Sequence, residues 1–470
     1  MNPNEITSID NVVARAKSAF TLWSGAPAER RAQLLDALAQ ALEKHREELV
    51  AIADQETGLG AARLTGEVAR TAFQLRGFAS ELHDGITLRP VLDVAVSGAP
   101  PVGRPRMQRV QQALGPVAMF SASNFPFAFS VLGGDTASAL AAGCPVVVKA
   151  HSGHPRLSQA VFDIAAAVIA EQGLPQGVLG LVDGASRAAG VHLVSHRDIA
   201  AVAFTGSYHG GTALWKAANE RPRPIPFFGE LGSINPLLAL PTILERESQA
   251  LATMLAGSIT QGTGQFCTSP GVVIVLDDPA SDRFVEELAE ALRPIATHRM
   301  LTPGMRAGYD RGIAQLMASA DVRALFEPLP DSQGPAPRLF QVAAAAFLAQ
   351  PELREEIFGP VAVVVRVEST AQAVKVLESI GGALTATLWG LEEPTADNHA
   401  ILAAATSIAG RVLFSGVPTG VAVCHAQQHG GPWPASTRPE TTSVGYSAVQ
   451  RFLRPVAFQD APSWIEARHR

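Results

Sequence analysis

The chain has 470 residues and a formal net charge of -6, so it carries no basic surplus of the kind that binds nucleic acid. Hydrophobic residues make up 47% of the sequence and charged residues 17%, a composition typical of globular proteins with large buried sheets. The length exceeds what one hydrophobic core organises, which predicts three domains or two domains with an appendage.

The sequence contains no evident signal for secretion, membrane insertion or disulfide formation. Residues 1–5 are polar and lack the order of a signal peptide, and no apolar run reaches membrane-spanning length. The three cysteines, Cys144, Cys267 and Cys424, are too few and too scattered for a disulfide framework. These features predict a cytoplasmic protein without a nucleic-acid or membrane partner.

The first half of the chain predicts a helical lead-in followed by a nucleotide-binding sheet. Apolar residues recur at helical spacing over residues 12–89, and residues 97–109, rich in Pro, Gly and Arg, indicate a linker or a projecting hairpin. Short β-rich runs then alternate with helical segments, a pattern that predicts parallel strands joined by crossover helices. The runs are residues 117–120, 145–148, 177–182, 200–204 and 225–228.

The second half predicts another α/β domain. An alternating series covers residues 271–415, with strands expected at 272–276, 361–367 and 411–414. The tail after residue 432 is rich in turns and ends in an apolar strand, residues 452–458, for which the sequence offers no evident partner.

One cysteine is placed for chemistry. Cys267 lies in the glycine-flanked run GQFCTSPG, between a small-residue helix and an apolar strand. A thiolate is a strong nucleophile, and polar, flexible neighbours leave it room to attack. The octapeptide by itself is equally compatible with a half-buried cysteine in a turn.

Two polar residues at predicted strand ends suit the same chemistry. Asn124 follows the first strand of the nucleotide-binding sheet, where its amide can stabilise an oxyanion, although a turn-capping asparagine is the alternative. Glu230 lies at the end of an apolar strand, where burial would raise its pKa and make it a base near neutral pH. A solvated carboxylate is the alternative.

Other strand ends suggest a phosphate site. Lys149 ends the second strand of the sheet, and Gly206 and Ser207 stand between a strand and a helix, where backbone N–H groups suit a phosphate. The run GSYHGG lacks the spacing of a dinucleotide fingerprint, so an ordinary glycine turn is equally compatible. Glu356, in an acidic pair before Gly-Pro, is by itself typical of a solvated residue.

In their order along the chain these signals resemble the aldehyde dehydrogenase superfamily, and the resemblance covers nearly the whole chain. The motifs are NFP at 124–126, VK at 148–149, FTGS at 204–207, ELG at 230–232, GQFC at 264–267 and ExFGP at 356–360. Further matches, such as ETGL at 56–59 and HGGPWPAS at 429–436, are similar to the subgroup containing NADP-dependent α-ketoglutarate semialdehyde dehydrogenases and a fatty-aldehyde enzyme.

The resemblance implies an α/β fold with a Rossmann-type cofactor domain, an α/β catalytic domain and a small β oligomerisation element. Residues 1–96 and 116–231 would form the NADP-binding domain and residues 232–430 the catalytic domain. Residues 97–115 and 431–470 would form the oligomerisation element, in which a strand of one subunit extends a partner's sheet. We therefore expect a homodimer or a homotetramer.

The resemblance also implies roles for the catalytic residues. Cys267 would attack the aldehyde carbonyl as a thiolate, while Asn124 and the Cys267 backbone N–H hold the oxyanion. Hydride transfer to the nicotinamide leaves a thioester, and Glu230 would activate the water that releases the carboxylic acid.

The cofactor is expected over Lys149, Gly206 and Ser207. The resemblance places Glu356 on the nicotinamide ribose and Phe358 beside the nicotinamide ring.

The identity of the cofactor is argued from one substitution. Ser152 stands where many NAD-using relatives have a glutamate that repels a 2′-phosphate. Ser152, His151, His154 and Arg187 can accept that phosphate instead, which predicts NADP, with NAD as the weaker alternative.

The small-molecule substrate is expected in a largely apolar tunnel. An anionic semialdehyde also needs a cation, for which Arg70 is the candidate, although an arginine on a helix surface is the alternative. The expected tunnel residues are Phe125, Phe129, Phe266, Thr268 and Trp433.

The implied reaction is oxidation of α-ketoglutarate semialdehyde to α-ketoglutarate. Ser415 and Ala422 depart from the asparagine and glutamate that the subgroup tends to have near the tunnel. A broad-specificity NADP-dependent dehydrogenase of aliphatic or aromatic aldehydes and a non-catalytic member of the fold are the alternatives.

No metal is expected. His151 with His154 is better placed for phosphate, and Cys424, His425 and His429 map to the loop that lines the substrate entrance in the family. A zinc site needs three or four convergent ligands.

Overall fold

The computed structural model describes residues 3–84, 88–183, 186–330 and 333–466. Expected segments that include residues 1–2, 85–87, 184–185 or 467–470 lie in part outside the described residues. Among the described residues, no helix is long and apolar enough to cross a membrane.

Helices and strands alternate over most of the chain. The α-helices are α1 (Pro3–Ser24), α2 (Ala28–Lys44), α3 (Arg46–Thr57), α4 (Ala61–Asp84), α5 (Gly134–Ala142), α6 (Pro155–Glu171), α7 (Arg187–Ser195), α8 (Tyr208–Asn219), α9 (Pro241–Thr260), α10 (Pro279–Leu292), α11 (Pro303–Ala318), α12 (Ala344–Ala349), α13 (Thr370–Ile380), α14 (Ala396–Ile408) and α15 (Ser463–Glu466). The strands are β1 (Val91–Asp93), β2 (Met107–Ala113), β3 (Val117–Phe120), β4 (Val146–Lys149), β5 (Leu179–Val182), β6 (Ala201–Thr205), β7 (Phe227–Glu230), β8 (Pro236–Ala239), β9 (Val272–Leu276), β10 (Arg323–Ala324), β11 (Arg338–Ala343), β12 (Val361–Val367), β13 (Ala383–Trp389), β14 (Ala409–Leu413) and β15 (Leu453–Gln459).

A five-stranded parallel sheet occupies the first half of the chain, in the order β5-β4-β3-β6-β7. Helices α2 to α6 pack on one face through an apolar core, and α1, α7 and α8 pack on the other. Parallel strands covered by helices on both faces form a doubly wound sheet, so the predicted α/β class is confirmed.

The seven-stranded sheet of the second half has the order β10-β11-β12-β9-β8-β13-β14 and is parallel except for β10. Helices α9 and α10 cover one face, and α11 to α14 cover the other. The sequence analysis located β9 and β12 but missed β8 and β13. Every residue of β13 is buried, including two threonines, so the strand carries no charged or strongly polar residue that would mark a half-exposed strand.

An antiparallel sheet of β1, β2 and β15 joins the end of the chain to its first third. β15 pairs along its whole length with β2, from Leu453 opposite Ala113 to Gln459 opposite Met107. The expectation that the C-terminal strand has no partner in its own chain is therefore wrong. Among the described residues, the other edge of β15 carries no further strand.

The ETGL motif has a structural role behind the five-stranded sheet. The Glu56 carboxylate accepts the backbone N–H groups of Arg156 and Leu157, at 3.0 and 2.9 Å, in the first turn of α6. A carboxylate there satisfies N–H groups that have no partner within the helix and opposes the helix dipole. Glu56 thereby fixes the start of the helix that follows β4 and Lys149.

Candidate active site

Cys267 lies in the loop between α9 and β9, on the side of the seven-stranded sheet that faces the five-stranded sheet. Its side chain is partly accessible, whereas Cys144 is buried and Cys424 is exposed. Gly264 has a φ of +65°, and a side chain there would overlap the backbone of Gly359. Glycine at position 264 is therefore required for the close packing that shapes the Cys267 loop.

Asn235 holds this loop in place. Its Nδ2 donates to the backbone carbonyls of Cys267 and Ser269, at 2.7 and 3.0 Å. Its Oδ1 accepts from the Ser233 hydroxyl at 2.7 Å and from the backbone N–H of Thr385 at 3.2 Å. The sequence analysis missed Asn235, because nothing in its local pattern distinguishes it from a turn asparagine.

His429 and Glu230 converge on the thiol. The Cys267 Sγ lies 3.6 Å from His429 Nε2, and the same Nε2 lies 3.1 Å from Glu230 Oε1. Both side chains are buried, with 1% of His429 and 4% of Glu230 exposed. The backbone N–H of His429 donates to the Thr442 hydroxyl at 2.8 Å, which fixes the histidine.

The expected place of His429 at the substrate entrance is wrong. His425, from the same predicted cluster, lies apart from it: His425 pairs with Glu81 at 3.0 Å and is mostly exposed. Side chains four positions apart share a face in a regular helix or strand, whereas this segment is a loop. The HGGPWPAS match was the only signal in the sequence that pointed to His429.

The electrostatics of Glu230 also differ from the expectation. Burial raises the pKa of this carboxyl, but the attraction of His429 and the hydrogen bonds from His429, Ser443 and Cys267 outweigh it. The Ser443 hydroxyl donates to Oε2 at 2.5 Å. The pKa of Glu230 is lowered overall, so the expected rise is wrong and the group is a carboxylate at neutral pH.

Cys267 has the opposite shift. Burial, the charge and hydrogen bond of Glu230 and the charge of Glu356 raise the pKa of its thiol well above the usual value, and Arg70 opposes them. The resting nucleophile is therefore a thiol, which must lose its proton as it attacks. His429 and Glu230 are the neighbouring groups able to take that proton.

Asn124 lies beside the nucleophile loop, just beyond β3. Its Nδ2 donates to the Gln265 carbonyl at 2.9 Å, which leaves the second amide N–H available. Arg63, another residue that the sequence analysis missed, donates to the Asn124 carbonyl at 2.6 Å. Its guanidinium also lies over the rings of Phe125 and Phe266, at 5.2 and 4.8 Å. Arg63 thus joins the oxyanion donor to the loop that carries the thiol.

Helix α4 contributes two more ionic side chains, buried Glu67 and half-buried Arg70, at spacing that places them near Arg63. The Glu67 Oε1 accepts the N–H groups of Phe127 and Ala128, at 2.8 and 3.0 Å. Arg70 Nε and Nη2 are buried and have no hydrogen-bond partner among the described residues. The charges of Glu67 and Cys267 act on Arg70, so the alternative of a solvated surface arginine does not fit.

Three phenylalanines form an apolar wall beside the site. The Phe125 ring lies 5.5 Å from that of Phe129 and 5.0 Å from that of Phe266. Phe129 reaches His429, with ring centres 6.4 Å apart. Thr268 is buried next to the nucleophile, with 1% exposed.

Trp433 does not join this wall. It is partly exposed and packs on Tyr208 and Trp215 of α8, with ring centres 5.5 and 5.2 Å apart. Its expected place in the tunnel is therefore corrected: Trp433 covers the cofactor-side helix.

The carboxyl edge of the five-stranded sheet presents the expected cofactor residues. Lys149 is buried at the end of β4, where burial lowers its pKa, and its Nζ donates to the Ala150 carbonyl at 3.0 Å. The Ser207 hydroxyl caps α8 by accepting the Gly210 N–H at 3.3 Å. The Gly206 N–H donates to the Glu230 carbonyl at 3.1 Å, which ties this edge to the catalytic strand. The first turn of α8 is exposed and suits a phosphate.

Ser152 and Arg187 are exposed beyond β4 and at the start of α7. His154, by contrast, is fully buried, with Nε2 2.9 Å from the Ala122 carbonyl and Nδ1 3.1 Å from the Ser158 hydroxyl. Burial lowers the pKa of His151 to about 4. The lowered pKa values leave both histidines without positive charge at neutral pH, so a role of His151 in phosphate binding would rest on its ring N–H.

Glu356 and Phe358 line a cleft with Ser233 and Phe266, beside the Cys267 loop. The Glu356 carboxylate lies close to Gly232, so a side chain at position 232 would have to displace it. The carboxyl is exposed to the cleft, yet the surrounding protein raises its pKa to about 7.

Curated proteins similar to this chain include dehydrogenases. A model of the aldehyde dehydrogenase family matches residues 4–309. The chain is 43% identical to alpha-ketoglutaric semialdehyde dehydrogenase 2 of Azospirillum brasilense, over 97% of this chain and 87% of that protein. It is 39% identical, over the same shares, to alpha-ketoglutaric semialdehyde dehydrogenase of Acinetobacter baylyi.

Solved structures share the fold. Proline utilization A of Bradyrhizobium japonicum matches with a TM-score of 0.81 at 25% identity, over 96% of this chain and 45% of that chain. A 1-pyrroline-5-carboxylate dehydrogenase from Thermus, solved with bound NAD, matches with a TM-score of 0.81 at 21% identity, over 96% of this chain and 85% of that chain.

Proposed function

This chain belongs to the aldehyde dehydrogenase family and is an oxidoreductase that acts on aldehydes, and from that premise we propose that it oxidises α-ketoglutarate semialdehyde to α-ketoglutarate with NADP. The observation that carries the chemistry is the convergence of the Cys267 thiol, the His429 imidazole and the Glu230 carboxylate. Two similar proteins are named alpha-ketoglutaric semialdehyde dehydrogenases, which supports α-ketoglutarate semialdehyde as the proposed substrate.

In the first half of the reaction, Cys267 Sγ bonds to the aldehyde carbon. The thiol proton passes to His429 Nε2, which lies 3.6 Å away and can accept it when the imidazole carries its own proton on Nδ1, because the raised pKa of Cys267 disfavours a free thiolate. The free N–H of Asn124 and the Cys267 backbone N–H stabilise the oxyanion. NADP, when bound, supplies the hydride acceptor, and the product of this half is a thioester on Cys267.

In the second half, a water molecule attacks the thioester. The lowered pKa of Glu230 keeps it a carboxylate, which takes a proton from that water. The C–S bond then breaks, the carboxylic acid leaves, and the thiol regains its proton from the site. Ser443 fixes the second oxygen of Glu230 at 2.5 Å, so the base is oriented before water arrives.

Arg70 supports a substrate that carries its own carboxylate. Its Nε and Nη2 are buried with no partner among the described residues, and its charge acts on Cys267. An unpaired guanidinium is costly to bury unless a ligand satisfies it. The carboxylate of α-ketoglutarate semialdehyde provides that partner while the aldehyde end meets the thiol.

Two exposed polar residues beyond β4, Ser152 and Arg187, support NADP as the proposed cofactor. Ser152 can donate a hydroxyl hydrogen bond to the 2′-phosphate, and Arg187 can pair with it. Because the pKa values of His151 and His154 are lowered, Arg187 is the main proposed source of positive charge for this phosphate.

The substrate proposal is tested with two aldehydes and two variants. We expect Arg70→Met to lower kcat/KM for α-ketoglutarate semialdehyde by about 10- to 100-fold, the value of a hydrogen-bonded charge pair. The value for pentanal, an uncharged aldehyde of similar length, should change by less than about threefold. Arg70→Lys keeps the charge and should recover part of the loss.

Equal losses for both aldehydes would mean that Arg70 supports the site and not the substrate. The apolar wall of Phe125, Phe129 and Phe266 favours the second candidate, a broad-specificity dehydrogenase. A wild-type enzyme that oxidises aliphatic or aromatic aldehydes as well as the semialdehyde would establish that candidate. Absence of NADPH formation with every aldehyde would indicate a non-catalytic member of the fold.

Assembly and location complete the proposal. β15 is an edge strand among the described residues, and its free edge suits pairing with a second subunit in a homodimer or homotetramer. All three cysteines are free thiols, the state that the cytoplasm maintains. Light scattering of the purified protein measures the subunit number directly.

A further inference from the structure

Three different metal-binding side chains meet at the catalytic centre. One ligand atom each from Cys267, His429 and Glu230 lies within 4.8 Å of the others. We propose that these residues form a three-ligand site for Zn²⁺ or a similar transition metal, and that the metal inhibits the enzyme by occupying its nucleophile, its histidine and its base together.

The distances between the ligand atoms agree with tetrahedral zinc. Zinc bonds of about 2.3 Å to sulfur and about 2.0 Å to nitrogen or oxygen place S and N about 3.5 Å apart and N and O about 3.3 Å apart. The separations here are 3.6 Å from Sγ to Nε2 and 3.1 Å from Nε2 to Oε1. These two sides of the triangle therefore match the metal geometry, and the third side, from Cys267 Sγ to the Glu230 oxygen, is no longer than 4.8 Å and must be about 3.5 Å when the metal is bound.

The three ligands are held by contacts that the metal would not disturb. The Cys267 carbonyl accepts from Asn235 at 2.7 Å, the second Glu230 oxygen accepts from Ser443 at 2.5 Å, and the His429 N–H donates to Thr442 at 2.8 Å. Partners behind the ligands orient them and raise metal affinity.

Charge balance also suits a divalent ion. Binding releases the Cys267 proton to solvent, and the thiolate and the Glu230 carboxylate together neutralise the 2+ charge in a buried site. The mixture of sulfur, nitrogen and oxygen donors favours zinc, cobalt or copper over magnesium or calcium.

The site has the features of an inhibitor site and not of a resident cofactor site. His429 Nδ1 is buried without a hydrogen-bond partner among the described residues. Histidines of resident metal sites usually donate this N–H to a carboxylate or carbonyl, and its absence weakens binding about 10- to 100-fold. Because binding is weakened, we expect the metal to occupy the site reversibly. The inhibitory half of the proposal rests on the proposed function, whereas the binding half does not.

A second thiol, imidazole and carboxylate lie at the surface and must be distinguished. Cys424 is exposed, and its neighbour His425 pairs with Glu81 at 3.0 Å. Cys144 is buried, with its Sγ 3.4 Å from the Phe452 carbonyl. These two cysteines provide matched controls for Cys267, because neither belongs to the catalytic centre.

Cobalt titration of the purified protein, without added cofactor, tests binding directly. Bound Co²⁺ gives a thiolate charge-transfer band, and its visible bands distinguish tetrahedral from octahedral coordination. We expect one Co²⁺ per chain with a tetrahedral spectrum that Zn²⁺ displaces. Cys424→Ser and Cys144→Ser should retain the band, Cys267→Ser should lose it, and His429→Gln should weaken binding at least about tenfold.

A full-strength band in Cys267→Ser, or its loss in Cys424→Ser, would overturn the proposal. The activity arm follows NADPH formation in the wild type and in Cys424→Ser: Zn²⁺ should inhibit both to the same extent, and a chelator should restore them. Cobalt binding without inhibition would overturn the inhibitory half alone. Binding in a protein that oxidises no aldehyde would leave the metal site standing while the proposed function fails.

Discussion

The catalytic centre and the cofactor edge lie next to each other but are built in opposite ways. Glu230 and His429 are almost fully buried, lie 3.1 Å apart, and each accepts a hydrogen bond from the Ser443 hydroxyl. Ser152 and Arg187, at the cofactor edge, are exposed. Groups that move protons act best when they are oriented and dry, whereas groups that bind a large anion must stay open to admit it. Substitutions should therefore lower kcat in the first region and raise KM for NADP in the second.

The largest expected effect is at the nucleophile. Cys267→Ser should lower kcat by more than about 10³-fold, because a hydroxyl is far harder to ionise than a thiol. The dissociation constant of NADP, measured by calorimetry, should stay within about twofold of the wild-type value. Loss of NADP binding in this variant would show that the two regions are not separable.

His429→Gln should have the next largest effect. Glutamine keeps most of the volume but cannot take the thiol proton, so we expect kcat to fall about 100-fold, with KM for NADP unchanged. Steady-state kinetics and a thermal melt of the same sample separate lost chemistry from lost folding. A kcat within about threefold of wild type would remove His429 from the mechanism and leave Glu230 as the thiol base.

At the cofactor edge, Arg187→Ala should raise KM for NADP about tenfold and leave KM for NAD and both kcat values unchanged. The matched control is Arg197→Ala, since Arg197 is a surface arginine whose side chain is 92% exposed. An unchanged preference for NADP in Arg187→Ala would exclude Arg187 from phosphate recognition.

The smallest effect concerns the resting thiol. Because the pKa of Cys267 is raised, its thiol stays mostly protonated through the neutral and alkaline range. Its rate of alkylation by iodoacetamide should therefore rise about tenfold for each pH unit, in step with the thiolate fraction. Exposed Cys424 should react first, and Cys144, whose buried thiol has a pKa of about 11, should not react. Peptide mass spectrometry resolves the three sites. A Cys267 rate independent of pH would indicate a resting thiolate.

The local sequence pattern predicted three strands with their correct bounds. β3, β9 and β12 have the predicted bounds because each is a short apolar run between turn residues. β13 was missed because it is buried on both faces, and the partner of β15 was missed because β2 lies far away in sequence. Trp433 was misplaced because the position of a loop aromatic depends on the helix it contacts, here α8.

By itself, the sequence determined the family, the α/β class and the residue types that carry the chemistry, since motif order and strand patterning are properties of the chain alone. Only the tertiary structure decided which groups meet and how they are charged. Cys267 and His429 are 162 residues apart, and Glu230 and Ser443 are 213 apart. The pKa of Glu230 is lowered and that of Cys267 is raised by neighbours brought together over those separations. Protonation depends on distance and burial in space, and no local pattern in the chain encodes either.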